Sequence, residues 1–223
     1  MSTQTIDPFV TSRTGAISVN KVLRNTYALL SMTLLFSAVT AGISMTLNLP
    51  HPGLLLTLVG YFGLLFATAR FRNSGLGLVF VFALTGFMGY TLGPILNAYL
   101  ALANGGQLVA TAMGATGAIF LGMSGYALVS GRDFSFMGSF LMVGILVGFL
   151  AGVGAILFEI PALSLAVSAV FVLLMSGLIL YETSNIVHGG ETNYIMATVT
   201  LFVSIFNLFT SLLHLLGFMG GQE

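Results

Sequence analysis

Charge is nearly absent from this chain. Six Lys or Arg and six Asp or Glu stand among 223 residues, and the formal net charge is zero. A domain that is 57% apolar and 5% charged cannot cover a surface facing water. Cysteine is missing altogether, which excludes disulfides, thiolate chemistry and Cys-ligated zinc. There is no basic run, so nucleic acid is left without an electrostatic footprint. The period-two alternation of apolar and polar residues that marks a membrane barrel is also lacking.

What remains is a series of seven continuous apolar stretches of roughly 17–25 residues, each the length of a helix that crosses a bilayer core. Backbone groups in hydrocarbon must be satisfied within the protein, so such stretches are helices. The expected fold is an all-α integral membrane protein, a bundle of seven transmembrane helices at about 25–48, 54–70, 76–97, 107–130, 135–158, 162–187 and 195–217. Connections are short, with turn chemistry at Asn48–Gly53, Asn104-Gly105-Gly106 and Arg132-Asp133. Residues 1–22 are polar, with Asp7-Pro8 and Gly15 opposing regular structure, and read as a flexible tail before a 23–218 membrane domain. The tail lacks the apolar core of a cleaved signal peptide, so the first span is expected to direct insertion. Arg13, Lys21 and Arg24, then Arg70 and Arg72, then Arg132 all fall on one side of seven spans, which makes the N-terminus and its tail cytoplasmic.

The faces of these helices carry more. Lipid gives helices no hydrophobic reason to associate, so small residues at fixed spacing mark close contact. Gly144, Gly148 and Gly152 form a double GxxxG on helix 5, and Gly86, Gly89 and Gly93 a similar face on helix 3. Pro94 removes one backbone donor and is expected to bend helix 3 near its outer end. On helix 7, Thr200, Ser204, Asn207, Ser211 and His214 line one face, which requires that helix to be turned inward. This stripe is either glue between helices or the wall of a hydrated path. Thr33, Ser37, Thr40 and Ser44 repeat the spacing on helix 1, where small-residue contact accounts for it.

Glu182 is the acidic residue that lies clearly within a span, about 12 Å from the midplane of a core of about 15 Å half-thickness. It is either an interfacial side chain facing headgroups or a proton-sensitive gate or cation ligand. His188-Gly189-Gly190-Glu191 reads as a turn, since two potential ligands do not make a metal site. The chain shows no Ser/His/Asp set, phosphate-cradling loop or HExxH motif, and no enzymatic chemistry or cofactor is expected.

Gly86, Gly89, Gly93, Pro94 and Asn97 on helix 3 resemble the Gly-Pro signature of the Bax inhibitor-1 (transmembrane Bax inhibitor motif) family. The run Tyr181-Glu182-Thr183-Ser184-Asn185 through His188, Glu191, Asn193 and Tyr194 is similar to its proteobacterial branch, as is Lys21 to Tyr27 at the start of helix 1. The resemblance covers about residues 20 to 217. It implies a seven-helix bundle with helix 7 at its centre, in the bacterial inner membrane. It also implies two functions. The proteobacterial branch implies binding to a membrane-anchored, FtsH-type ATP-dependent protease and its associated membrane complex, whose proteolysis the protein restrains. Residues 1–22 would be the handle the protease grips, up to about 70 Å long if fully extended. The broader family implies a pH-sensitive leak for calcium as permeant ion, gated by an aspartate pair on helices 6 and 7. The first acid maps onto Glu182 and the second onto Ser204, and a carboxylate and a hydroxyl do not share a proton as two carboxylates do.

Overall fold

The computed structural model describes residues 8–220, with side chains from residue 19 onward. The helices are α1 (Pro8–Thr46), α2 (Leu54–Phe71), α3 (Gly75–Leu100), α4 (Gly105–Ser130), α5 (Gly138–Leu157, entered through a 3-10 turn at Ser135–Met137), α6 (Pro161–Val187) and α7 (Tyr194–Gly220). Among the described residues these seven helices are all long and apolar enough to cross a membrane. The protein is a multi-pass membrane protein.

One expected boundary is corrected. Helix 1 starts at Pro8 rather than near residue 25, so residues 8–22 continue a 39-residue helix where a flexible tail was expected. Proline suits a first helical position, because its ring presets φ and its missing N–H would have no partner there. A single interior glycine such as Gly15 costs only about 1 kcal/mol and does not end a helix. Residues 1–7 of the expected tail lie outside the described residues.

α7 is the axis of the bundle. It packs against α1, α3, α4 and α6, whereas α2 leans on α3 and α5 on α6. Of its span 44% is buried, against 6% for α2. Outward-facing positions carry large apolar side chains such as Leu35, Val129 and Phe140, which suit acyl chains as they would not suit water.

The glycine faces are notches for neighbouring side chains. A Cβ added at Gly144 would lie 2.7 Å from Leu174, at Gly148 2.8 Å from Phe171, and at Gly152 3.5 Å from Val167, so this face of α5 receives α6. On α3, a Cβ at Gly89 would overlap the Ser37 carbonyl and the Thr40 hydroxyl, and one at Gly93 would stand 2.5 Å from Ser44 Oγ. The small-residue stripe of α1 is thus the counter-face of α3. Thr33 and Thr40 meet their hydroxyl needs on the carbonyls of Leu30 and Ser37 in their own helix.

The Gly93-Pro94 pair acquires a physical meaning here. α3 continues through Pro94 to Leu100, but proline has no N–H with which to bond the carbonyl four residues back, at Tyr90. Ser44 Oγ donates to that carbonyl at 2.9 Å from α1. Gly93 lets it approach, since any side chain there would occupy the position of Ser44. The Tyr90 hydroxyl in turn donates to Pro50 O at 2.8 Å, and Asn97 Nδ2 to Met45 O at 3.1 Å. Ser44→Ala should therefore cost about 1–3 kcal/mol, the penalty of a buried carbonyl left without a donor, while Ser44→Thr retains most of the stability. Thermal unfolding in detergent reads the difference, and equal midpoints for Ser44→Ala and the native chain would contradict this account.

Candidate functional site

Polar side chains concentrate where the ends of α1, α4, α6 and α7 meet, on the side of Arg24, Arg72 and Arg132. α6 supplies consecutive residues to this junction. Thr183 Oγ1 lies 3.4 Å from the Tyr27 hydroxyl of α1 and 3.3 Å from Ser124 Oγ of α4. Ser184 Oγ donates to Arg132 O at 3.2 Å and accepts the Phe134 N–H at 3.1 Å, holding the α4–α5 loop. In that loop, the Ser135 backbone N–H, then its hydroxyl, keeps the Asp133 carboxyl below its ordinary range.

The α6–α7 turn closes the same end. Asn185 O accepts the N–H groups of Gly190 and Glu191 at 2.8 and 3.2 Å. Gly189 has φ +76°, a conformation that side chains disfavour, and a Cβ on Gly190 would overlap the Asn185 side chain. His188 Nδ1 donates to Ser184 O at 2.9 Å, and Glu191 Oε1 accepts the Asn193 N–H at 2.6 Å. The His and the acid thus bond separate partners, and no group of three His, Asp or Glu residues suited to a metal occurs among the described residues. Asn193 Oδ1 caps α7 by accepting from Ile195 and Met196 at 3.0 and 3.1 Å. Its Nδ2 reaches Arg72 O at 3.1 Å and Asn73 Oδ1 at 2.8 Å in the α2–α3 loop. These bonds join the α6–α7 turn to the α2–α3 loop and the α4–α5 loop to the end of α6.

Within the junction two buried polar atoms have no hydrogen-bond partner among the described residues: Glu182 Oε1 and Thr26 Oγ1. Glu182 is 4% exposed, so it faces the bundle and not the headgroups. The Thr26 carbonyl accepts from Thr198 Oγ1 of α7 at 3.3 Å, which brings α1 and α7 together beside it.

The other residues singled out on α7 are not gathered around Glu182. Ser204 is fully buried, and its hydroxyl donates to Thr200 O at 2.7 Å. Asn207 Nδ2 donates to Val203 O at 2.9 Å. His214 Nδ1 is 2.7 Å from Ser168 Oγ of α6, about 15 Å along the helix from Ser204. Of the inward-turned stripe, Ser204 and Asn207 thus bond carbonyls four residues back on their own helix, a common arrangement for short polar side chains, while His214 meets α6. Sequence reasoning missed Thr183, Ser184 and the Asn193 cap. Asn before an apolar helical run is a start signal that marked Asn193, whereas the bonds of Thr183 and Ser184 leave no local trace.

Two apolar clefts flank α7, of about 420 Å³ between α1 and α4 and about 470 Å³ between α2 and α5, with Phe206 in the wall of both.

A family model described as "Inhibitor of apoptosis-promoting Bax1" matches residues 19–221. The chain belongs to the Bax inhibitor-1 family. Among its relatives, a protein of Escherichia coli K12 named modulator of FtsH protease YccA is 56% identical over 92% of this chain and 94% of its own. Its counterpart in a second E. coli strain, named inner membrane protein YccA, shows the same identity and coverage. An uncharacterized protein of Pseudomonas aeruginosa is 52% identical over 92% of both chains. These names and the seven apolar spans agree with a multi-pass protein of the bacterial inner membrane. The Gly93-Pro94 pair and the Glu182–Asn193 junction both lie within the matched residues 19–221.

Proposed function

We propose that this protein binds a membrane-anchored, FtsH-type ATP-dependent protease and restrains its degradation of other membrane proteins, with no catalysis of its own. The observation that carries this reading is 56% identity, across nearly the whole chain, to a relative named as modulator of that protease. Two physical features support it. A protease that pulls chains from the membrane works against the notched α1–α3 and α5–α6 contacts, which resist extraction of single helices. The N-terminal end of α1 lies on the side of the basic residues Lys21 and Arg24, where a protease acting from that side could grip it.

The test is the half-life of an established FtsH membrane substrate in cells lacking or overproducing this protein. Overproduction should lengthen that half-life, and deleting residues 2–18 should alter the effect. Identical half-lives in every strain would remove the reading.

Buried, unpartnered Glu182 favours a second reading, a pH-sensitive calcium or cation leak gated at that residue. Glu182→Gln should then flatten the pH profile of calcium flux in proteoliposomes, and an unaltered profile would count against the leak.

A further inference from the structure

The cleft between α2 and α5 has the size of a small-molecule site, about 470 Å³ within a usual range of about 300–1,000 Å³. Six aromatic rings line it, from Tyr61, Phe62, Phe87, Phe149, Phe171 and Phe206. They come from all five helices around the cleft. Phe62 meets Phe149 edge-to-face at 5.6 Å across the gap between α2 and α5, and Tyr61 stands edge-on to Phe62 at 5.0 Å.

Four polar residues interrupt this wall. Two are spent on their own helices: Thr57 donates to Gly53 O at 2.7 Å and Thr91 to Met88 O at 2.8 Å. The other two have capacity left. The Tyr61 hydroxyl has no hydrogen-bond partner among the described residues, and Asn207 uses one amide proton on Val203 O while its amide oxygen accepts nothing there. Both residues sit near the middle of their spans, Leu54–Phe71 and Tyr194–Gly220, where acyl chains offer no hydrogen bonds. An acyl chain would fill the volume but leave the tyrosine donor unmatched. Aromatic walls favour a flat ring, stacked offset or met edge-on.

We infer that this cleft binds a lipid-soluble planar ring bearing a carbonyl oxygen, a molecule of the quinone class, with Tyr61 donating to the carbonyl and the phenylalanine rings packing on the ring. Only binding is involved; the ligand enters laterally from the bilayer between α2 and α5.

The test uses the full chain in nanodiscs of phosphatidylethanolamine and phosphatidylglycerol, with radiolabelled ubiquinone-1 as the probe and empty nanodiscs as the baseline. Saturable retention above the baseline is expected. Tyr61→Phe, which keeps the ring and loses the donor, should weaken it about tenfold. Ala38→Phe, in the other cleft, should leave it unchanged. Three results would overturn the inference: retention equal to empty nanodiscs, equal affinity in Tyr61→Phe, or displacement by dodecanol as effective as by unlabelled ubiquinone-1, which would mark a site for acyl chains.

Discussion

Gly89→Leu is expected to destroy the folded protein. The first atom of the new side chain already overlaps the Ser37 carbonyl and the Thr40 hydroxyl, and one of these is backbone that cannot rotate away. α1 and α3 must then separate. That removes the Ser44–Tyr90 and Asn97–Met45 bonds and uncovers the carbonyl that Pro94 leaves free. Overfilling a close contact costs about 1–3 kcal/mol, and with two interhelical bonds lost the total reaches about 4 kcal/mol or more. Size-exclusion of detergent-solubilised protein after graded heating measures this. Gly114→Leu is the matched control, because a Cβ there has no neighbour within 4 Å, and its behaviour should stay within about 0.5 kcal/mol of the native chain. If the two variants were equally stable, the notch would not hold the bundle.

Asn193→Ala should cost about 2–3 kcal/mol, more than a residue in a surface turn usually does. Two backbone N–H groups of the first turn of α7 lose their acceptor, and helix caps of this kind contribute about 0.5–2 kcal/mol. The same change cuts both bonds to the α2–α3 loop. Asn193→Asp keeps the capping oxygen and loses the amide donor, so its stability should fall between the two. Hydrogen exchange at Ile195 and Met196 separates these contributions: faster in Asn193→Ala, near native in Asn193→Asp. Unchanged exchange in the alanine variant would disprove the cap.

The spans were legible because lipid tolerates so little charge that helices and gaps separate on composition alone. The notches on α3 and α5 were legible for a related reason, since close backbone approach in lipid demands small residues at helical spacing. The inward turn of α7 followed from the cost of Asn207 and His214 against acyl chains. The start of α1 was misjudged because polar composition opposes burial, not helix formation, and Pro8 begins a helix as readily as it breaks one. The junction around Glu182 was visible only as a motif. Tyr27 and Thr183 stand 156 residues apart, and nothing local to either names its partner.

The hydroxyl that Ser44 lends to Tyr90 also bears on the order of assembly. As α3 leaves the insertion machinery, it carries an orphaned carbonyl into a medium without water. It rests stably in the bilayer only once α1, already inserted, lies alongside. α2, the intervening span in the chain, has no such debt and settles on the outside of the pair. The first and third spans are therefore coupled energetically, because the bond that completes the third is supplied by the first.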